Sequence, residues 1–248
     1  MPNIGDSERK TQNRVIEFFQ TKLHYRYIGN LKDQANRNID EEKLTRWLTD
    51  HGYSSAVATR AVEELVKAAA NLQEGLYTAN RAVYQLLKYG AKIKENADEN
   101  ETTVYFIDWE TPGENLFEIA EEVTVVANNE KRPDLVVYLN GIAVAIIELK
   151  KSTVSVSNGI RQNLTNQREM FIQPFFTTMQ FCMAGNDSEG LRYGTIKTPE
   201  KYYLEWKKDG FTEYPEERSE MDIKIEEVCA TIPKKLDSAL YAMFYKAR

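Results

Sequence analysis

Two carboxylates and an amine interrupt a stretch of chain that is otherwise almost wholly apolar: Asp134, Glu148 and Lys150. Taking an unpartnered charge out of water costs several kcal/mol, so charges in such a run need either mutual neutralisation or work to do. The work that fits them is hydrolysis of a phosphodiester. Hard carboxylate oxygens suit a magnesium ion, which keeps several of its waters and can activate one of them. A lysine ammonium beside them can position that water or stabilise negative charge on the phosphate. The alternative is a plain salt-bridged trio at strand ends, and the D…ExK spacing taken alone leaves both readings open.

Which reading holds depends on the elements that carry the three groups. Leu135 to Leu139 and Ile142 to Leu149 are apolar on both faces, the pattern of strands in the centre of a covered sheet. Between them lies Asn140-Gly141, a strong hairpin signal. Glu148 and Lys150 are two apart and share a strand face. A two-residue loop would set Asp134 opposite Ile147, on the wrong face. A three-residue loop of Leu139, Asn140 and Gly141, with Gly141 left-handed in a bulge, would set Asp134 opposite Ile146 and let the trio converge. The three-residue loop is therefore the expectation.

Around this hairpin the periodicity changes along the chain. Ser7 is a cap candidate for a helix through Val15, Ile16, Phe19 and Leu23; Asp40 starts a second helix, Ser54 a third, and a fourth runs from about Thr78 to Tyr89. The first ninety residues are thus expected to be helical. Strands are expected over Thr103 to Trp109, Phe117 to Val126 and Phe175 to Met183, with helices over Ile160 to Phe171, from Pro199 through Trp206, and from Met221 onward. The last helix shows no stop signal, which points to a piece of a longer protein.

Composition narrows the classes. The longest apolar run, Gly141 to Ile147, is far below the roughly 20 residues of a membrane helix, and residues 1–10 are too polar for a secretory leader, so a cytoplasmic location is expected. Cys182 and Cys229 are too few for a disulfide framework or a zinc site, and His24 and His51 lack partners at catalytic spacing. The net charge of −6 excludes a protein that coats nucleic acid by bulk attraction. The segment from Lys131 to Arg168 nevertheless carries +4, and Lys151, Arg161 and Arg168 are its candidate DNA contacts.

Residues 131–151, KRPDLVVYLNGIAVAIIELKK, resemble the nuclease region of the restriction (R, or HsdR) subunit of type I restriction-modification enzymes. The resemblance extends through NLFEIAEEVTV at 115–125, FFTTMQ at 175–180 and GLRYGTI at 190–196, and covers roughly residues 80–207. It implies an α/β fold of the restriction-endonuclease-like, PD-(D/E)xK type: a mixed central sheet flanked by helices, with a helical N-terminal part and a helical C-terminal extension. It also implies one nuclease domain over 1–248, helical over 1–100, with its core over 101–210 and 211–248 leading toward a motor region. Asp134 and Glu148 would hold Mg2+ and Lys150 would act on the phosphate. The family's QxxxY motif puts Gln162 in the site, but Asn166 stands where the tyrosine would be. Related nucleases add a carboxylate from an upstream helix, for which Glu41 or Glu42 is the expectation. The implied substrate is double-stranded DNA, and the implied partners are methyltransferase and specificity subunits. ATP would be used elsewhere in the parent, because no GxxxxGK[ST] loop occurs in this chain. A silent docking or DNA-binding module with the same fold, and a stand-alone repair nuclease, are the competing readings.

Overall fold

A computed structural model describes residues 8–94, 100–206 and 219–246; the Ser7 cap lies outside them. Helices are α1 (Glu8–Thr21), α2 (Glu41–Asp50), α3 (Ser55–Ala70), α4 (Leu76–Tyr89), α5 (Val156–Asn166), α6 (Glu220–Thr231) and α7 (Lys235–Phe244). Strands are β1 (Arg26–Asn30), β2 (Ala91–Ile93), β3 (Thr102–Val104), β4 (Phe117–Glu121), β5 (Val125–Val126), β6 (Glu130–Lys131), β7 (Leu135–Leu139), β8 (Ile142–Leu149), β9 (Phe181–Asn186), β10 (Gly190–Gly194) and β11 (Leu204–Glu205). Seven strands form one mixed sheet in the order β1-β4-β7-β8-β9-β10-β11. The β1–β4 and β8–β9 pairs are parallel and the other pairs antiparallel.

The two strands expected in the interior are there: β7 and β8 are third and fourth of the seven, and of their residues only Leu139 and Val144 escape full burial. One sheet face, with Ile119, Leu135, Val137, Ala145, Ile147 and Leu149, packs against α1 and α7. The opposite face, with Ala120, Val136, Ile146 and Ala184, packs against α5 and the 172–179 turn. Helices α2, α3 and α4 form a third core with Ile39, β2, β3 and Ile142, at the end of the β7–β8 hairpin where the chain turns. Two of these helices begin on the caps read from sequence, with Asp40 accepting from the Lys43 amide and Ser54 from the Val57 amide.

Several local expectations need correction. The N-terminal ninety residues are not all helical, because Arg26–Asn30 forms an edge strand on β4. The Thr103–Trp109 run is a strand only as far as Val104, and pairs with β2 outside the main sheet. The run from Phe117 ends as a main-sheet strand at Glu121, and Glu122 turns it with φ 51°. Phe175 to Thr177 is 3-10 helix, so β9 begins only at Phe181. Pro199 opens one 3-10 turn, Glu200–Tyr202, followed by the edge strand β11 and not by a helix. Helix α5 occupies Val156–Asn166, earlier than Ile160 to Phe171. The last helix ends at Phe244, capped by the Tyr245 amide on the Tyr241 carbonyl.

The hairpin loop also differs from expectation, and here the difference bears on the site. Asn140 (φ 54°) and Gly141 (φ 87°) form a two-residue turn, with Leu139 paired to Ile142. That register would strand Asp134 on the wrong face. A bulge in β8 at Val144 restores the parity: Tyr138 pairs with Ala143, but Val137 pairs with Ala145, Val136 with Ile146 and Leu135 with Ile147. The surplus residue is absorbed within β8, two residues after its start, and the register extended one pair beyond Leu135–Ile147 sets Asp134 across from Glu148. The bulge is held by the segment leading into β9, since the Val144 carbonyl accepts from the Gln180 amide (2.8 Å) and the Ala143 carbonyl from Thr178 Oγ1 (2.7 Å).

Candidate active site

Asp134 immediately precedes β7 and is fixed from the opposite strand, where the Leu149 amide donates to its Oδ2 at 2.7 Å. Glu148 is the penultimate residue of β8 and is wholly buried. Its Oε2 accepts from Gln162 Nε2 of α5 at 2.6 Å, whereas its Oε1 has no hydrogen-bond partner among the described residues. Lys150 continues the line of β8, its amide donating to the Gly185 carbonyl of β9 at 2.9 Å. Its Nζ lies 4.0 Å from Asp134 Oδ2 and donates to Glu8 Oε1 at 3.2 Å and to the Leu149 carbonyl at 2.9 Å. The three residues singled out in sequence therefore do converge, at the end of the sheet remote from the hairpin turn.

Electrostatics at this point are unfavourable without a cation. Burial, and then the charge of Asp134, push the Glu148 carboxyl well above its ordinary range, and Lys150 only partly opposes them. Asp134 is raised as well, chiefly by burial, against the pull of the Leu149 amide and Lys150. The half-buried Asp134 and the wholly buried Glu148 are both driven toward the neutral acid, and Glu148 Oε1 has no hydrogen-bond partner among the described residues, so the pair is under-satisfied. Their donor chemistry fits a hard divalent cation, which would neutralise both. Among the described residues no group of three His, Cys, Asp or Glu side chains could hold a metal, so a cation here would draw the rest of its shell from water, backbone or ligand oxygens.

Gln162 reaches the trio as the motif implied. Asn166 is buried, and its carbonyl accepts from the Ile172 amide, closing the turn after α5. Lys151 and Arg168 are exposed, and Arg161 is exposed but engaged by both oxygens of Glu200 (2.8 and 2.9 Å). Glu41 and Glu42 are not brought to the site. They face solvent on α2, paired with Arg37 and Arg46, and α2 begins where the Asp40 amide meets the Gly141 carbonyl at the hairpin turn. With about 3.3 Å of rise per strand residue, the length of β8 separates them from Glu148 by some 20 Å. The upstream carboxylate that does arrive is Glu8, in the first turn of α1. Gln12, one turn later, donates to the Asp134 carbonyl (3.3 Å), to Glu121 Oε2 (3.0 Å) and to Glu122 Oε1 (3.2 Å). Neither residue was singled out, because the only sequence signal was their shared helical face.

The sequence profile of the type I restriction enzyme R protein N terminus matches residues 6–201. A type I restriction enzyme MjaIXP endonuclease subunit of Methanocaldococcus jannaschii is 29% identical over 131 residues, 50% of this chain and 12% of that protein. The chain thus spans only a small part of the length of the curated relative it matches. With the profile running through most of the chain, including β7, β8 and α5, the protein belongs to the family of type I restriction enzyme R protein N termini.

Proposed function

We propose that this chain is the nuclease region of a type I restriction enzyme and hydrolyses phosphodiester bonds of double-stranded DNA with magnesium. The observation that carries the reading is the buried Glu148 Oε1, which has no hydrogen-bond partner among the described residues and lies beside a second carboxylate and a lysine. Asp134 and Glu148 would hold the metal. When bound, magnesium supplies a water of lowered pKa and neutralises charge on the phosphate. Gln162 holds Glu148 by Oε2, which leaves Oε1 for a ligand, and the Leu149 amide holds Asp134 by Oδ2. Lys150 places a positive charge at the edge of the carboxylate pair, where it can orient a water or meet the scissile phosphate. Glu8, in place of Glu41 or Glu42, is the upstream-helix carboxylate of this reading, and its contact with Lys150 holds the ammonium until substrate arrives.

The mixed sheet and the placement of the trio support assignment to the PD-(D/E)xK fold. Lys151 and Arg168, both exposed, are the candidates for the DNA backbone, whereas Arg161 would have to leave Glu200 to join them. In the longer parent, methyltransferase and specificity subunits would supply site recognition, an attached motor would supply ATP-driven movement, and the complex would work in the cytoplasm. Nicking of supercoiled plasmid, with and without magnesium, by this chain and by the complete enzyme carrying it tests the reading. Magnesium-dependent nicks are expected from at least the complete enzyme, and must vanish on replacing Glu148. If the complete enzyme still cuts with Glu148→Ala, the site is a silent relic and the chain is a docking module.

A further inference from the structure

Gly159 is the fourth residue of α5, inside a helix where glycine is among the weakest formers. Its surroundings explain it. In the β8–β9 ladder Glu148 pairs directly with Ala184, and Gly159 sits over that pair. A Cβ at 159 would come to 2.8 Å from the Ala184 Cβ, and to 3.4 Å from the Glu148 Cβ. The first distance is sterically impossible and the second is ordinary contact. One turn further along the same face, Gln162 donates to Glu148 Oε2 at 2.6 Å, and Asn163 Nδ2 donates to the Met183 carbonyl at 2.8 Å.

We infer that Gly159 and Ala184 are positioning residues for the active site: their missing side-chain atoms set how closely α5 approaches the sheet, and that approach places the Gln162 amide on Glu148. The inference rests on the nuclease reading for its catalytic consequence, but not for its structural one. A methyl at 159 must lift α5 by about 1 Å to reach normal carbon–carbon separation. A 2.6 Å hydrogen bond does not survive such a shift, so Glu148 loses the contact that aims it. The steric conflict has one dominant partner, so removing the Ala184 methyl should let α5 settle back.

The test compares wild type, Gly159→Ala, Ala184→Gly and the double variant, by two readouts on the full chain. In metal-free protein, the side-chain amide resonances of Gln162 report its hydrogen bond to Glu148. In the complete enzyme, magnesium-dependent nicking reports the consequence. Gly159→Ala is expected to move the Gln162 resonances toward those of a solvated amide and to lower kcat on the order of 100-fold, the usual penalty for a misplacement of this size. The double variant is expected to recover both. If Gly159→Ala does not fold, the same comparison is made in the Ala184→Gly background, where Gly159→Ser reintroduces the surplus bulk. Wild-type Gln162 resonances in Gly159→Ala, or a loss that Ala184→Gly does not repair, would overturn the inference. Absence of nicking by every protein, wild type included, would instead count against the nuclease reading, with the resonance comparison still deciding the role of Gly159.

Discussion

At the scale of single residues the three charges should separate cleanly by role. Replacing Asp134 or Glu148 with alanine should abolish cleavage and weaken magnesium binding, because either change would remove one of the two proposed hard ligands. The metal-free fold should be no less stable, since burial already pushes both groups away from the charged form, and at Glu148 the charge of Asp134 adds to it. Lys150→Ala should abolish cleavage with magnesium still bound, and should destabilise the metal-free protein, because the cation nearest Asp134 and Glu8 disappears. Titration calorimetry, plasmid nicking and thermal melting on the three variants check this; near-wild-type nicking by Lys150→Ala would remove the lysine from the mechanism. A second prediction concerns Glu121, which ties α1 to the sheet. Burial alone would raise its pKa, but Arg9 (2.5 Å), Tyr27 (2.7 Å) and other partners outweigh burial, so it is lowered. The stability it adds is complete above the unfolded value of 4.5 and lost as pH falls through the lowered folded value. Glu121→Gln should therefore lose less melting temperature than wild type between neutral pH and acid. A parallel fall in the two proteins would show that the pair contributes nothing there.

At the scale of elements, the hairpin turn tests how the strands are registered. Asn140 is wholly buried at positive φ; its Oδ1 accepts from the Leu116 amide (2.7 Å) and its Nδ2 donates to the Phe106 carbonyl (2.9 Å) and Asn115 Oδ1 (2.8 Å). Asn140→Ala leaves these partners unsatisfied and a side chain in the left-handed region, for a loss of about 3–5 kcal/mol. Asn140→Gly keeps the backbone comfortable and should cost about 1 kcal/mol less than alanine. Denaturant unfolding measures both, and equal losses would mean that the turn conformation is unstrained. The place of this turn was legible in sequence, though not its two-residue length, and so were β7, β8 and the helices capped by Asp40 and Ser54, because each is marked by local chemistry or an uninterrupted apolar pattern. The bulge at Val144 was not legible. Valine there looks like its neighbours, and what opens the ladder is a pair of bonds from Thr178 and Gln180, more than thirty residues away. The same holds for Glu8, which reaches Lys150 across 142 positions of sequence, and for β1, whose five residues become a strand only by pairing with β4.

At the scale of the whole molecule, the candidate site and the α2–α4 core sit at opposite ends of the central hairpin, whereas α7 is tied directly to the site's end of the sheet. Asp187, in the turn just after β9, is nearly inaccessible and is paired with Arg14 of α1 and with Lys234 (2.6 Å) at the start of α7, while Arg14 also holds Asp237 of α7. Removing one member of a buried ionic cluster leaves the others uncompensated, so Asp187→Ala should cost about 3–5 kcal/mol. The loss should be local at first. Amides of α7 and of the first half of α1 should lose protection from hydrogen exchange, while those of α2, α3 and α4, which share no part of this cluster, keep theirs. Leu65→Ala, inside the α2–α4 core, should give the mirror image: a comparable loss of about 2–5 kcal/mol with exchange rising in the helical end and α7 unaffected. Adding Lys234→Ala to Asp187→Ala should recover part of the first loss, since it withdraws one of the stranded cations. Exchange that rises uniformly through α1 to α7 in both single variants would show the two ends of the sheet to be one cooperative unit, and would sink the expectation that α7 and α1 can loosen around the carboxylates independently of the helical end.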